Sequence, residues 1–329
     1  MKQLLLSLLF ITTNVFASPW ETVTIPNAKC GDGVPFKVFV RKGKRAKLAI
    51  ELMGGGACWS LATCWGPKFH TWIHPIPELP AYSYLTTEDS PLRDHTFLYF
   101  PYCNGDVYAG NHTANYFPGE LKGTHHHGKR NLIKALDYLK ANRIIDFPQV
   151  KDLVAFGSSA GAIGSLLHAD TYLKYMRPEK KLLIADSPGL HYGPNFWKKF
   201  TPELMRDFGE TFAKVGIHID LSSGLVAPQL KNYCNTRSDW KMGFIQTTRD
   251  VIMSAMFGDI SQEEHKKVVL GREGIRNTLR NTKNCSTHIS EGIGHMLLII
   301  PDVAANSIDI ESGESAKDYV DRLINEQQR

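Results

Sequence analysis

The chain has 329 residues, 43% hydrophobic and 22% charged, a composition that suits a folded globular protein with length enough for one large core. Its formal charge of +5 comes without any run of Lys and Arg interleaved with aromatics, so nothing points to nucleic acid as a partner. Past the N-terminus no apolar stretch approaches the roughly 20 residues a spanning helix needs, which argues against an integral membrane protein.

The charged start Met1-Lys2, the apolar run from Leu4 to Phe10 and the small-residue end Val15-Phe16-Ala17 read as a secretory signal peptide cleaved after Ala17. Residues 18–329 are then expected to form a single secreted or periplasmic domain, since no linker, repeat or low-complexity tract divides them. Pro35 to Val40 alternates enough for a strand, and Leu48 to Met53 reads as a more buried one. The second ends on Gly54-Gly55-Gly56-Ala57-Cys58-Trp59, a run whose backbone N–H groups can face a ligand with no side chains in the way. Thr96 to Pro101 is the next strand candidate and runs into Tyr102-Cys103-Asn104-Gly105-Asp106-Val107. The stretch between these two strands, 65–91, is rich in Pro, Trp and Tyr and too long for a plain connection, so it is expected to be an insertion near the site.

His125-His126-His127 invites a metal reading. Coordination, however, needs ligands converging from separated positions, whereas adjacent side chains point apart. The triplet is expected instead to precede a helix whose apolar face is Leu132, Ala135, Leu136 and Leu139, spaced i, i+3, i+4, i+7. No metal or other cofactor is expected.

The rest of the chain is organised around Lys151 to Gly161. An apolar run, Leu153 to Phe156, reads as a buried strand, and Ala160 to Tyr175 carries apolar residues at helical spacing. Between them, Gly157-Ser158-Ser159-Ala160-Gly161 is a Gly-x-Ser-x-Gly elbow that puts Ser159 on the turn. A serine hydroxyl is a weak nucleophile, and small neighbours let it project and let a carbonyl approach. Lys181 to Ala185, Met242 to Thr247 and Cys285 to Ser290 read as further strands, and Ala316 to Ile324 as a closing amphipathic helix. Strands alternating with helices predict an α/β fold with a mostly parallel sheet flanked by helices on both faces. His295, behind Gly294 just past the last strand, is the last histidine of the sequence, the place a general base takes in the Ser, acid, His order of the α/β hydrolases.

These motifs, Gly54 to Trp59 with Cys64, Pro101 to Val107, Gly157 to Gly161 and Gly294-His295, resemble in content and order those of the pectin acetylesterase family, which includes the Notum carboxylesterases. The resemblance covers most of the chain after the leader. It implies an α/β-hydrolase fold and a metal-free serine hydrolase cleaving carboxylic esters, with Ser159 as nucleophile, His295 as base, and Gly55, Gly56 and Ala160 as backbone donors of the oxyanion hole.

Two assignments remain open at this level. Asp186 and Asp250 both follow a strand and lie between Ser159 and His295; strand position favours Asp250 as the acid, because that residue normally follows a late strand. Asp250 would equally serve as a helix N-cap, and Arg249 beside it would make it an ion-pair partner. For an exported chain, the six cysteines are expected in disulfides. They allow fifteen complete pairings, among which we expect Cys58 with Cys64 beside the glycine loop, Cys30 with Cys103, and thereby Cys234 with Cys285. The functional expectation is an exported esterase acting on acetyl esters of a polysaccharide such as pectin. A lipid or acyl-protein esterase taking longer chains is the alternative, and a non-catalytic secreted binding protein of the same fold is a third class.

Overall fold

A computed structural model gives the structure for residues 20–66, 83–117 and 123–328; the expected leader and the larger part of the 65–91 insertion lie outside these described residues. The chain opens with strands β1 (Glu21–Lys29), β2 (Pro35–Arg41), β3 (Lys44–Leu52) and β4 (His95–Phe100). A small hairpin of β5 (His112–Asn115) and β6 (Gly123–His126) stands apart from the main sheet. Strands β7 (Asp152–Ser158), β8 (Lys180–Asp186), β9 (Lys241–Thr247) and β10 (Cys285–Ser290) complete the set.

The main sheet has eight strands in the order β1-β2-β4-β3-β7-β8-β9-β10. From β4 through to β10 every neighbouring pair is parallel, while β1 and β2 form an antiparallel edge. Both faces are covered, which is why β7 reads as an unbroken apolar run. Its Leu153 and Ala155 pack on one side with Leu132, Leu136 and Leu166; Val154 and Phe156 pack on the other with Tyr319, Val320 and Leu323. Helices Gly128–Ala141 and Ala160–Tyr172 therefore lie on the first face, and the C-terminal helix Ala316–Gln328 on the second. Gln327 near the end of that helix donates to Asp152 Oδ1 at 2.7 Å, tying the C-terminal helix to the start of the elbow strand.

The structure is thus an α/β hydrolase with a mostly parallel sheet, as expected, and it departs from the sequence reading in local ways. β1 was not anticipated, because Pro26 interrupts its alternation. The strand absorbs the proline with a register shift between Thr24 and Lys29, next to left-handed Asn27 at φ 58°. The histidine triplet does precede the helix, which starts at Gly128, and its first two members also close strand β6. The helix after the elbow stops at Tyr172, three residues short of Tyr175, as the chain turns before Pro178. Disulfides join Cys30 to Cys103, Cys58 to Cys64 and Cys234 to Cys285. Among the described residues no helix is long and apolar enough to cross a membrane.

Close backbone packing sets where the elbow sits. A Cβ on Gly161 would lie 1.9 Å from Leu52 O, and one on Gly157 would lie 2.3 Å from Gly161 O. The two glycines therefore let helix Ala160–Tyr172 press onto β3 and β7. Gly161→Ala is expected to force these elements apart and to cost about 3 kcal/mol, the upper part of the range for overpacking. Gly209→Ala, in a helix interior where an added Cβ meets nothing within 4 Å, is expected to raise stability by about 0.5–1 kcal/mol. Urea unfolding of the two variants checks both signs.

Candidate active site

The loops at the carboxyl ends of β3, β7, β8, β9 and β10 meet on one edge of the sheet, the place where open parallel sheets carry their ligands. Ser159 follows β7 with φ 56° and ψ −123°, a left-handed conformation that a residue with a side chain adopts only under constraint. Its N–H donates to Asp186 O at 2.8 Å, and its side chain makes no capping bond to the helix it precedes. Gly54 supplies the space in front of it. A Cβ there would lie 3.0 Å from Ser159 Cβ and 2.6 Å from Ser158 O.

His295 sits on the loop after β10. Its Nδ1 lies 2.7 Å from Asp250 Oδ2, and its Nε2 is buried with no hydrogen-bond partner among the described residues. With Asp250 ionised, Nδ1 carries the proton and Nε2 is left as the acceptor. Ser159 and His295 line the same cavity of about 790 Å³. Asp250 itself is fully buried, and its two oxygens divide the work. Oδ1 accepts from the N–H groups of Ile252 and Met253, both at 3.0 Å, which caps the helical segment Ile252–Gly258, while Oδ2 faces the imidazole. The capping and imidazole-holding readings of Asp250 therefore coexist. Arg249 turns outward to Glu263 and Glu291, so it is no partner of Asp250.

Asp186 takes a different place. Its carboxylate accepts from Leu297 N at 3.0 Å, Leu298 N at 2.8 Å and Ser187 Oγ at 3.0 Å, pinning the chain just past His295. Burial pushes its carboxyl above the usual range, against the pull of those donors.

Gly55 and Gly56 line the cavity beside Ser159. Gly56 is left-handed at φ 75°, and its carbonyl accepts from Tyr102 Oη at 2.6 Å. Ala160 opens the helix after Ser159, so its N–H lacks an intrahelical acceptor. The sequence reading singled out the stretch from Pro101 to Val107 without giving it a job; it braces the glycine loop. Tyr102 Oη also accepts from Val107 N at 2.8 Å, and Cys58 N donates to Gly105 O at 3.0 Å. Buried Asp106 accepts from Gly128 N at 2.6 Å and Tyr108 N at 3.1 Å, and burial pushes its carboxyl up to about 7. The signal for these roles was the Asn-Gly-Asp turn after a strand end, which says that a loop is built there but not what it holds.

For a metal, one group of three suitable side chains occurs among the described residues, Cys58, Cys64 and His126, with ligand atoms within 4.8 Å of one another. The two sulfurs are bonded to each other, so neither is a thiolate ligand. His126 is already occupied, by Asn104 O at 2.9 Å and Tyr116 Oη at 3.0 Å.

The fold and the disposition of Ser159, His295 and Asp250 define the class as α/β hydrolase. Within that class the chain belongs to the pectinacetylesterase family, whose model matches residues 14–234. That match takes in the glycine loop and Ser159 and ends before Asp250 and His295. The chain is also 32% identical over 89 residues to the palmitoleoyl-protein carboxylesterase NOTUM of Schmidtea mediterranea, a stretch that is 27% of this chain and 16% of that protein. The solved structure of the Wnt deacylase Notum from Drosophila superposes with a TM-score of 0.61 at 16% identity, covering 93% of each chain, which is a likeness of fold.

The two aspartates are expected to separate experimentally. Asp250→Asn is expected to lower turnover by about 10⁴ with the fold intact, the loss seen when a buried carboxylate no longer sets the imidazole tautomer. Asp186→Asn presents an amide N–H to a backbone N–H and is expected to cost about 1–3 kcal/mol in stability, with the smaller loss of turnover. Turnover of a chromogenic ester and melting temperature, measured on both variants, check the contrast.

Proposed function

We propose that the protein is an exported serine carboxylesterase working through Ser159, His295 and Asp250. The observation that carries this reading is His295, held by Asp250 at Nδ1 and left with a buried Nε2 that has no partner among the described residues, in the cavity that Ser159 lines. In this reading His295 Nε2 takes the Ser159 proton as the oxygen attacks the ester carbonyl, and returns it to the leaving alcohol. Asp250 stabilises the imidazolium, and water then repeats the cycle on the acyl-enzyme. The N–H groups of Gly55, Gly56 and Ala160 receive the oxyanion, each worth about 3 kcal/mol of transition-state stabilisation. Gly54 keeps the approach to Ser159 open. Three disulfides and the apolar leader support export.

The cavity also bears on the acyl group. Its walls are largely apolar, with Met53, Val251, Ile252, Met256, Phe257 and Ile299 among them, and about 790 Å³ is far more than an acetyl group fills. These features favour an ester with an apolar portion larger than acetyl. The family to which the chain belongs supports the second reading, an acetyl ester on a polysaccharide.

A panel of p-nitrophenyl esters from acetate to palmitate, run on wild type and Ser159→Ala, tests both levels. We expect turnover that Ser159→Ala abolishes on every ester, with kcat/KM rising from acetate to the medium-length chains. A maximum at acetate would return the acetyl reading to first place, and the absence of turnover on any ester would sink the hydrolase reading.

A further inference from the structure

Strand β3 lies in the middle of the sheet, and the residues around Glu51 are those such a strand requires: Leu48, Ala49, Ile50 and Leu52 are all fully buried. Glu51 is the exception, an acid 7% exposed at a position where both neighbouring strands offer aromatic rings, Tyr99 of β4 and Phe156 of β7 in register. Its Oε2 is buried and has no hydrogen-bond partner among the described residues. No cation lies within ion-pairing distance among the described residues. Arg41, which attracts Glu51 from a distance, donates to Thr86 O at 3.0 Å, stacks on Phe97 and has Glu88 as its ion-pair partner at 3.9 Å. A buried carboxyl oxygen left without a partner in the middle of a sheet costs stability, and the distant attraction of Arg41 is a weak return for it.

What Glu51 does have is a place in the cavity wall. With Tyr99 and Ser83 it lines the same cavity that Ser159 and His295 line, three residues before Gly54, which lies just past the end of β3 and abuts Ser159. Three residues, if extended as in a strand, put it at most on the order of 10 Å along the chain from Gly54 and the reacting centre. Burial is the larger influence on its proton and pushes its carboxyl up to about 8, with Arg41 pulling the other way. At neutral pH it is therefore a carboxylic acid, with one O–H to donate and oxygens that accept. A neutral group that both accepts and donates, a hydroxyl, matches it; an apolar chain end would leave it unsatisfied, and an anion would be repelled once it ionised.

We propose that Glu51 is a specificity-determining residue, which selects substrates bearing a hydroxyl group about 10 Å from the scissile ester. This deepens the esterase reading by naming a polar feature of the substrate in an otherwise apolar cavity. The hydroxyl belongs to either half of the ester, the acyl chain or the alcohol, and the two sources are separable.

The test is made on binding, so that it does not depend on turnover. In the Ser159→Ala background, dissociation constants are measured for two matched pairs: p-nitrophenyl 8-hydroxyoctanoate against the octanoate, and 8-hydroxyoctyl acetate against octyl acetate. We expect the hydroxyl to tighten binding about tenfold in one pair, naming the half that carries it, and Glu51→Leu to bring that ratio to about one while Glu51→Gln, which still donates and accepts, keeps most of it. Equal binding within both pairs, or a preference that survives Glu51→Leu, overturns the proposal, whatever the ester panel shows for Ser159. Stability guards against a merely structural role. The unfolded chain loses the Glu51 proton near the ordinary glutamate value while the folded chain keeps it up to about 8, so wild type loses stability as pH rises through that window. Glu51→Gln is accordingly expected to melt above wild type by a margin that grows from pH 5 to pH 8; a variant that melts below wild type at pH 8 assigns the carboxyl to the fold and overturns the proposal.

Discussion

The site depends on Asp186, a residue that reaches neither Ser159 nor His295 by a hydrogen bond of its side chain. Its main-chain oxygen holds Ser159 N, and its carboxylate holds Leu297 N and Leu298 N just beyond His295. One residue at the end of β8 thereby references the elbow and the histidine loop to each other, although 136 positions of sequence separate Ser159 from His295. Such a tie matters because an imidazole displaced by an ångström loses much of its effect on a hydroxyl. It also explains a buried carboxyl with no ion-pair partner among the described residues: its donors are two backbone amides, the Ser187 hydroxyl and, at 3.4 Å, the Ser158 hydroxyl, and together they offset part of the desolvation penalty.

Around this tie, the glycines of the two motifs divide into different tasks. Gly157 and Gly161 allow backbone to meet backbone, bringing the helix after Ser159 hard against β3, whereas Gly54 leaves the front of the serine open. The glycine loop does not keep its shape through glycine alone. Tyr102, Asp106 and the Cys58 to Cys64 bridge hold it from behind, and Val107 and Tyr108 adopt left-handed conformations at φ 47° and 62° within that brace. Strain of this kind persists only where the surroundings over-determine it.

The cavity combines two chemistries. Met256 and Ile293, 37% and 54% exposed, are among its apolar walls. Its lining also includes Glu51, Tyr99 and Ser83, which are polar and mostly buried. An apolar wall with a few placed polar groups is the usual make-up of a small-molecule site, in which the polar groups set orientation and choice.

The sequence by itself determined the parallel strands of the sheet and the elbow. Runs such as Leu153 to Phe156 and Leu182 to Ala185 are strands because chain buried on both faces must be apolar throughout, and Gly-x-Ser-x-Gly between strand and helix permits few backbone paths. It also marked Asp250 and His295 as candidates through their order in the chain. Only the tertiary structure decided which oxygen of Asp250 caps a helix and which meets His295, that Asp186 braces the loop, and that Glu51 faces a cavity. Those outcomes depend on directions of side chains brought together from strands far apart in sequence. Local pattern cannot encode them, because alternation along a strand says which face a residue is on but not what the other elements place opposite it.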